Sequence, residues 1–79
     1  MASHPTAAAV VSSSGAMTIE ERAIIIRAIE ELGARRVAEI LGLEQPTVVR
    51  LAVPGLRSQR ATILVTRMAL PKLLEAMAA

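Results

Sequence analysis

The residues best able to do chemistry in this chain are its arginines. Between Gln45 and Leu74 stand Arg50, Arg57, Arg60, Arg67 and Lys72 with no acidic residue, a stretch of charge +5, whereas Thr18 to Glu44 holds six Glu against four Arg. Clustered guanidinium groups are what neutralising backbone phosphates requires, because each neutralised phosphate releases condensed counterions. The plainer reading is that Arg57, Arg60, Arg67 and Lys72 form an ordinary solvated face. Other chemistry is scarce. Glu20, Glu21, Glu30, Glu31, Glu39, Glu44 and Glu75 are expected on exposed helix faces with Arg three or four residues away, as in Glu31 and Arg35, which makes them salt-bridged surface rather than a catalytic pair. The single His4 lies in a polar N-terminal stretch and forms neither a metal site nor a Ser-His-acid triad. The absence of Cys removes a thiolate nucleophile, a disulfide framework and sulfur-ligated zinc. Gly33, Gly42 and Gly55 are too scattered for a phosphate-cradling loop. No enzyme, cofactor or metal is expected. The chain also has no aromatic residue, which excludes nucleic-acid binding by stacking bases on rings, as in RNA-recognition sheets.

The arginines must be positioned by helices. With 79 residues, 53% of them hydrophobic, one small domain with an aliphatic core is the most the chain can build. Residues 1–17 are low in charge and rich in Ala and Ser, without apolar periodicity, and predict a flexible arm ahead of a domain over 18–79. Thr18-Ile19-Glu20-Glu21 is a capping box that starts a helix, with Ile25, Ala28, Ile29 and Leu32 on one face and Gly33 at its end. A second apolar set, Val37, Ala38, Ile40 and Leu41, is stopped by Gly42. Glu44-Gln45-Pro46-Thr47 opens a third helix that buries Val48, Leu51 and Ala52, Pro46 being tolerable where first-turn amides lack intrahelical partners. Pro54-Gly55 predicts a turn, Ser58 a cap for a fourth helix reaching about Leu70, and Pro71 the start of a fifth over Lys72 to Met77. No stretch alternates apolar and polar residues long enough for a strand. The fold class expected is all-α, a small bundle of four to five helices with Ile25, Ile29, Leu32, Val37, Ala38, Leu41, Leu43, Val48, Leu51 and Ile63 in one core.

The two short helices joined by Gly42-Leu43-Glu44 have the spacing of a DNA-binding helix-turn-helix. Gly42 supplies the left-handed turn, Ala38 is small where the helices cross, and Val37, Leu41, Leu43, Val48 and Leu51 fill the wedge between them. The stretch Val37 to Arg50 resembles the motif of bacterial and phage repressors of the lambda-repressor and Cro type. Thr62-Ile63 followed by Ala69-Leu70 is similar to the helix those domains place after their recognition helix, so the resemblance covers Thr18 to Leu70. It implies a sequence-specific double-stranded DNA-binding domain, a small transcriptional regulator whose recognition helix, about residues 45–53, enters the major groove. Gln45, Thr47, Val49 and Arg50 would face base edges or adjacent phosphates: Gln reads adenine, Arg reads guanine, Val49 meets a thymine methyl, and Thr47 touches phosphate or supports the turn. Arg57 and Arg60 would contact phosphates alone. The reading from another class is a helix-turn-helix fold used as a protein-interaction or assembly module without DNA binding.

The fourth helix departs from the family pattern, with Thr66 and Arg67 where an apolar and a small residue are usual and Leu64, Val65 and Met68 where polar ones are. If Ile63, Thr66 and Leu70 face the core, those three apolar side chains point outward. With Leu73, Leu74 and Met77 they would then supply a homodimer surface, and two recognition helices about 34–36 Å apart would read a palindrome. If the helix is rotated, they lie inside the monomer. No Lys or Arg precedes Arg22 and the apolar run Ala7 to Val11 is short, so no secretory signal is expected. No apolar run approaches the roughly 20 residues of a membrane span. A cytoplasmic protein is expected.

Overall fold

The computed structural model describes residues 17–79, which form four helices: α1 (Ile19–Leu32), α2 (Ala34–Leu41), α3 (Gln45–Ala52) and α4 (Arg60–Ala78). Among the described residues there is no strand, and no helix is long and apolar enough to cross a membrane. The expected arm lies outside the described residues except for Met17, which is buried in the core rather than belonging to an arm.

α1 begins as its capping box requires: the Glu21 amide donates to Thr18 Oγ1 at 3.1 Å and the Thr18 amide donates to Glu21 Oε1 at 2.9 Å. α2 ends at Gly42, whose φ of 72° and ψ of 30° place it in the left-handed region that favours glycine. Two bonds close that end, from the Leu43 amide to the Ala38 carbonyl (3.0 Å) and from the Gly42 amide to the Glu39 carbonyl (3.3 Å). This crossed pair is a Schellman arrangement, which satisfies the last carbonyls of α2 and brings Leu43 back toward Ala38. The loop after α3 turns on Pro54 and Gly55, with Gly55 at φ 86° and the Leu56 amide donating to the Val53 carbonyl at 3.4 Å. Pro at the second position and a positive-φ Gly at the third suit a type II turn.

The core contains Met17, Ile25, Ala28, Val37, Ala38, Leu41, Val48, Leu51, Ile63, Leu70 and Leu73. Ile29, Leu32 and Leu43, expected inside, are only partly buried at its edge. α1 and α2 occupy the middle: each packs on the other and on both α3 and α4, whereas α3 and α4 do not pack on one another.

Two expectations for the last third of the chain are corrected. Ser58 is not the cap; α4 starts one residue later, from Gln59, with no side-chain capping bond. Nor is there a fifth helix at Pro71, because α4 runs through it. Pro71 removes one amide, but it lies on the exposed side, and the inward row Ile63, Thr66, Leu70, Leu73 is continuous across it. Burial on both sides of the proline holds one helix together against the cost of a missing backbone bond. That row also settles the rotation of α4: Leu64, Val65 and Met68 are exposed, Met68 by 81%. Thr66 is fully buried and donates its hydroxyl to the Thr62 carbonyl one turn back at 2.8 Å, so its polar atom carries no unmet demand. Leu73 is buried and Met77 half-buried, which takes both out of the proposed outer strip and leaves Leu74 exposed.

Candidate nucleic-acid interface

α3 is only eight residues long and the residue before it, Glu44, makes no side-chain capping bond, so tertiary contacts must hold it. Val48 and Leu51, one turn apart, are its buried residues. Arg22 on α1 donates from Nε to the Leu51 carbonyl at 3.4 Å, a cation placed where a helix C-terminus has unmet carbonyls. With Val48 and Leu51 fixed inward, Gln45, Pro46, Val49 and Arg50 are presented outward, and all four are exposed.

Because α3 and α4 do not pack together, a cleft remains between them. Its volume is about 380 Å³, and it is lined by Thr47, Arg50, Arg57, Ser58, Gln59 and Thr62. The lining residues carry two guanidinium groups, three hydroxyls and an amide, and no carboxylate. Guanidinium donates in a planar fork that matches phosphate or carboxylate oxygens, so this lining suits an anion. Among the described residues, no salt bridge engages Arg50, Arg57, Arg60 or Lys72.

The expected site residues therefore divide. Thr47, Arg50 and Arg57 meet in the cleft, Thr47 half-buried and the two arginines exposed. Gln45 and Val49 lie on the outer face of α3, outside the cleft lining. Arg60 is exposed at the first residue of α4 but does not line the cleft. Thr62, two residues further on and so on nearly the opposite side of the helix, does line it. Ser58, Gln59 and Thr62 were not anticipated as part of a site. The one legible signal is the polar, acid-free run Arg57-Ser58-Gln59-Arg60, which follows the Pro54-Gly55 turn after Leu56; Thr62 lies beyond Ala61, outside that run.

Arg67 leaves the basic face altogether. Its guanidinium donates to both oxygens of Glu21, from Nη2 to Oε1 at 2.8 Å and from Nε to Oε2. Glu21 is likewise not the exposed carboxylate the sequence suggests, its side chain being 13% exposed. The ion pairs on the outer helix faces are Arg27 with Glu31 at 2.8 Å and Arg35 with Glu39 at 4.0 Å, not the expected Glu31 with Arg35. No protein family matches the chain, and no curated protein and no solved structure matches it either.

Proposed function

We propose that residues 18–79 are a helix-turn-helix domain that binds double-stranded DNA sequence-specifically, as a small cytoplasmic transcriptional regulator of the repressor type that works as a homodimer. α2 and α3 are the two helices of the motif, Gly42-Leu43-Glu44 is its turn, and α3 is the recognition helix. The observation that carries this reading is the arrangement around α3: Val48 and Leu51 are locked in the core, Gln45, Val49 and Arg50 are outside, and two arginines border an acid-free cleft beside them. Gln45 and Arg50 are the side chains able to read base edges, through paired hydrogen bonds to adenine and guanine. Val49 offers an apolar contact for a thymine methyl. Arg57, with Thr47, Ser58 and Thr62 around it, holds a backbone phosphate, which fixes register without carrying base information.

A second reading, a protein-interaction or assembly module, is favoured by a separate feature. Ile19, Ala23, Ile26 and Pro54, with Arg22, line an apolar groove of about 290 Å³ on the outer side of α1. Salt separates the two readings. DNA binding weakens steeply as salt rises, through counterion release, whereas apolar association does not. Gel-shift selection from random duplexes tests the first reading and reads the site in the same experiment.

A further inference from the structure

The cleft between α3 and the start of α4 holds more positive charge than one backbone phosphate matches. A phosphate in a DNA backbone is a diester with a single negative charge. The lining supplies two guanidinium groups, Arg50 from α3 and Arg57 from the loop before α4, with no acid beside them and no salt bridge on either. A phosphate monoester carries about −1.5 to −2 charges near pH 7 and three strong acceptor oxygens, so it can face two planar forks where a diester satisfies one. The start of α4 adds to this preference. Its N-cap, Gln59, makes no side-chain capping bond, and the first intrahelical bond runs from the Ile63 amide to the Gln59 carbonyl at 3.1 Å. The amides of Arg60, Ala61 and Thr62 are therefore left to an outside acceptor, and Gln59 and Thr62, which bracket them, both line the cleft.

The remaining lining sets the rest of the ligand. Thr47, Ser58 and Thr62 contribute hydroxyls, Gln59 an amide, and no lining residue is apolar. The chain has no aromatic residue on which a nucleobase could stack. A base or an acyl chain would gain little there, whereas ligand hydroxyls exchange hydrogen bonds to water for hydrogen bonds to the lining. At about 380 Å³ the cleft falls within the roughly 300–1,000 Å³ of small-molecule sites. We propose that it binds a small phosphate monoester with a hydroxylated body, of the phosphorylated polyol or sugar class. Arg50 and Arg57 hold the phosphate beside the first turn of α4, and the hydroxyls of Ser58 and Thr62 hold the body. The same two arginines are assigned above to a guanine edge and a backbone phosphate, so the bound ligand displaces DNA. That displacement rests on the proposed DNA binding; the ligand site stands without it.

Amide NMR titration of the full chain, at low salt and above about pH 7 where a monoester is mostly dianionic, reads the site directly. Glycerol 3-phosphate is expected to shift the amides of residues 58–62 and to saturate, and dimethyl phosphate, a monoanionic diester, to bind at least about tenfold more weakly. Arg50→Ala and Arg57→Ala, both at exposed positions, should each weaken glycerol 3-phosphate about tenfold. Arg36→Ala removes the same charge from an exposed position on α2 outside the cleft and should change binding less than about twofold. Ser58→Ala combined with Thr62→Val should weaken glycerol 3-phosphate but not methyl phosphate, which has no hydroxyl to place. Equal binding of monoester and diester, or an equal loss in Arg36→Ala, overturns the site, and equal effects of the double variant on the two monoesters overturn the hydroxylated body. In a gel shift, glycerol 3-phosphate is then expected to release the duplex and glycerol to leave it bound. A chain that binds the monoester but no duplex removes the DNA reading and keeps the site. Duplex binding without monoester binding does the reverse, and simultaneous binding of both overturns the displacement.

Discussion

Arg67, near the middle of α4, grips both carboxylate oxygens of Glu21, a residue 46 positions earlier in the first turn of α1. The same carboxylate accepts the Thr18 amide, so one side chain closes the capping box and ties the start of α1 to α4. Donation from Arg67 holds the Glu21 carboxyl below its ordinary value, against the opposing effect of burial, with the Thr18 amide adding to the lowering. A lowered folded-state value means stabilisation that is complete above the unfolded carboxylate pKa, about 4.3, and lost as pH falls through the folded value.

Glu21→Gln is accordingly expected to destabilise the domain at neutral pH by about 1.5–3 kcal/mol, the range for a hydrogen bond to a charged group. The deficit relative to wild type should shrink as pH falls below the unfolded carboxylate pKa, about 4.3, towards the lowered folded value, through which the wild-type carboxyl also becomes neutral. Urea melts of both proteins across pH 3 to 7 measure this, and a deficit that does not change with pH contradicts it.

Ala38 and Gly42 set the geometry between α2 and α3 in different ways. Ala38 is buried at 7% exposure, and Ala38→Leu is expected to cost on the order of 1–3 kcal/mol by overpacking. Gly42 has open space where a Cβ would stand, so Gly42→Ala is expected to cost about 1–2 kcal/mol from its positive φ alone, with Gly42→Asn milder. Chemical denaturation distinguishes the two causes, since only the backbone effect is relieved by Asn.

Thr66→Val tests the account of α4. The Thr66 hydroxyl bonds only within its own helix, to the Thr62 carbonyl, so a methyl in its place leaves no buried group unmet. Stability is expected to be unchanged or to rise by up to about 1 kcal/mol, whereas Thr66→Ala should lose stability through a cavity. A loss of stability in Thr66→Val would mean the hydroxyl has a role beyond the local bond.

Most helix starts and stops made by local chemistry were legible in the sequence, although the start of α4 lies at Gln59 rather than at the expected Ser58. Thr18 and Glu21 form their box, Gly42 makes its left-handed turn, and Ala38 is buried. What escaped was set by distant partners. Pro71 reads locally as a boundary, and only the inward row on either side of it shows why α4 continues. Arg67 and Glu21 each carry local signals of a solvated helix face, and nothing in their own neighbourhoods reveals a bond across 46 residues. The cleft was missed in part for a similar reason: its polar lining comes from a helix, a turn and another helix start that need not touch, and Ser58 and Thr62 read as parts of the fourth helix rather than of a site.

Substitutions at the two parts of the proposed interface are expected to fail differently. Gln45→Ala and Arg50→Ala should each reduce discrimination between DNA sequences by about 1–3 kcal/mol. Arg57→Ala should weaken binding to all duplexes alike and flatten the dependence on salt. Fluorescence anisotropy with a selected and a scrambled duplex over a salt series reads both effects, and equal losses on both duplexes for all three variants would remove α3 as the reading element.

The central claim, that α3 reads double-stranded DNA, is tested most directly by selecting duplexes from a random pool with the wild-type chain and with Arg50→Ala in parallel. The account predicts that the wild type enriches one site built from two inverted half-sites, bound with an affinity that falls steeply with salt, and that Arg50→Ala loses preference at one position in each half-site. A pool that stays random after repeated rounds, or a site enriched equally by both proteins, would contradict it.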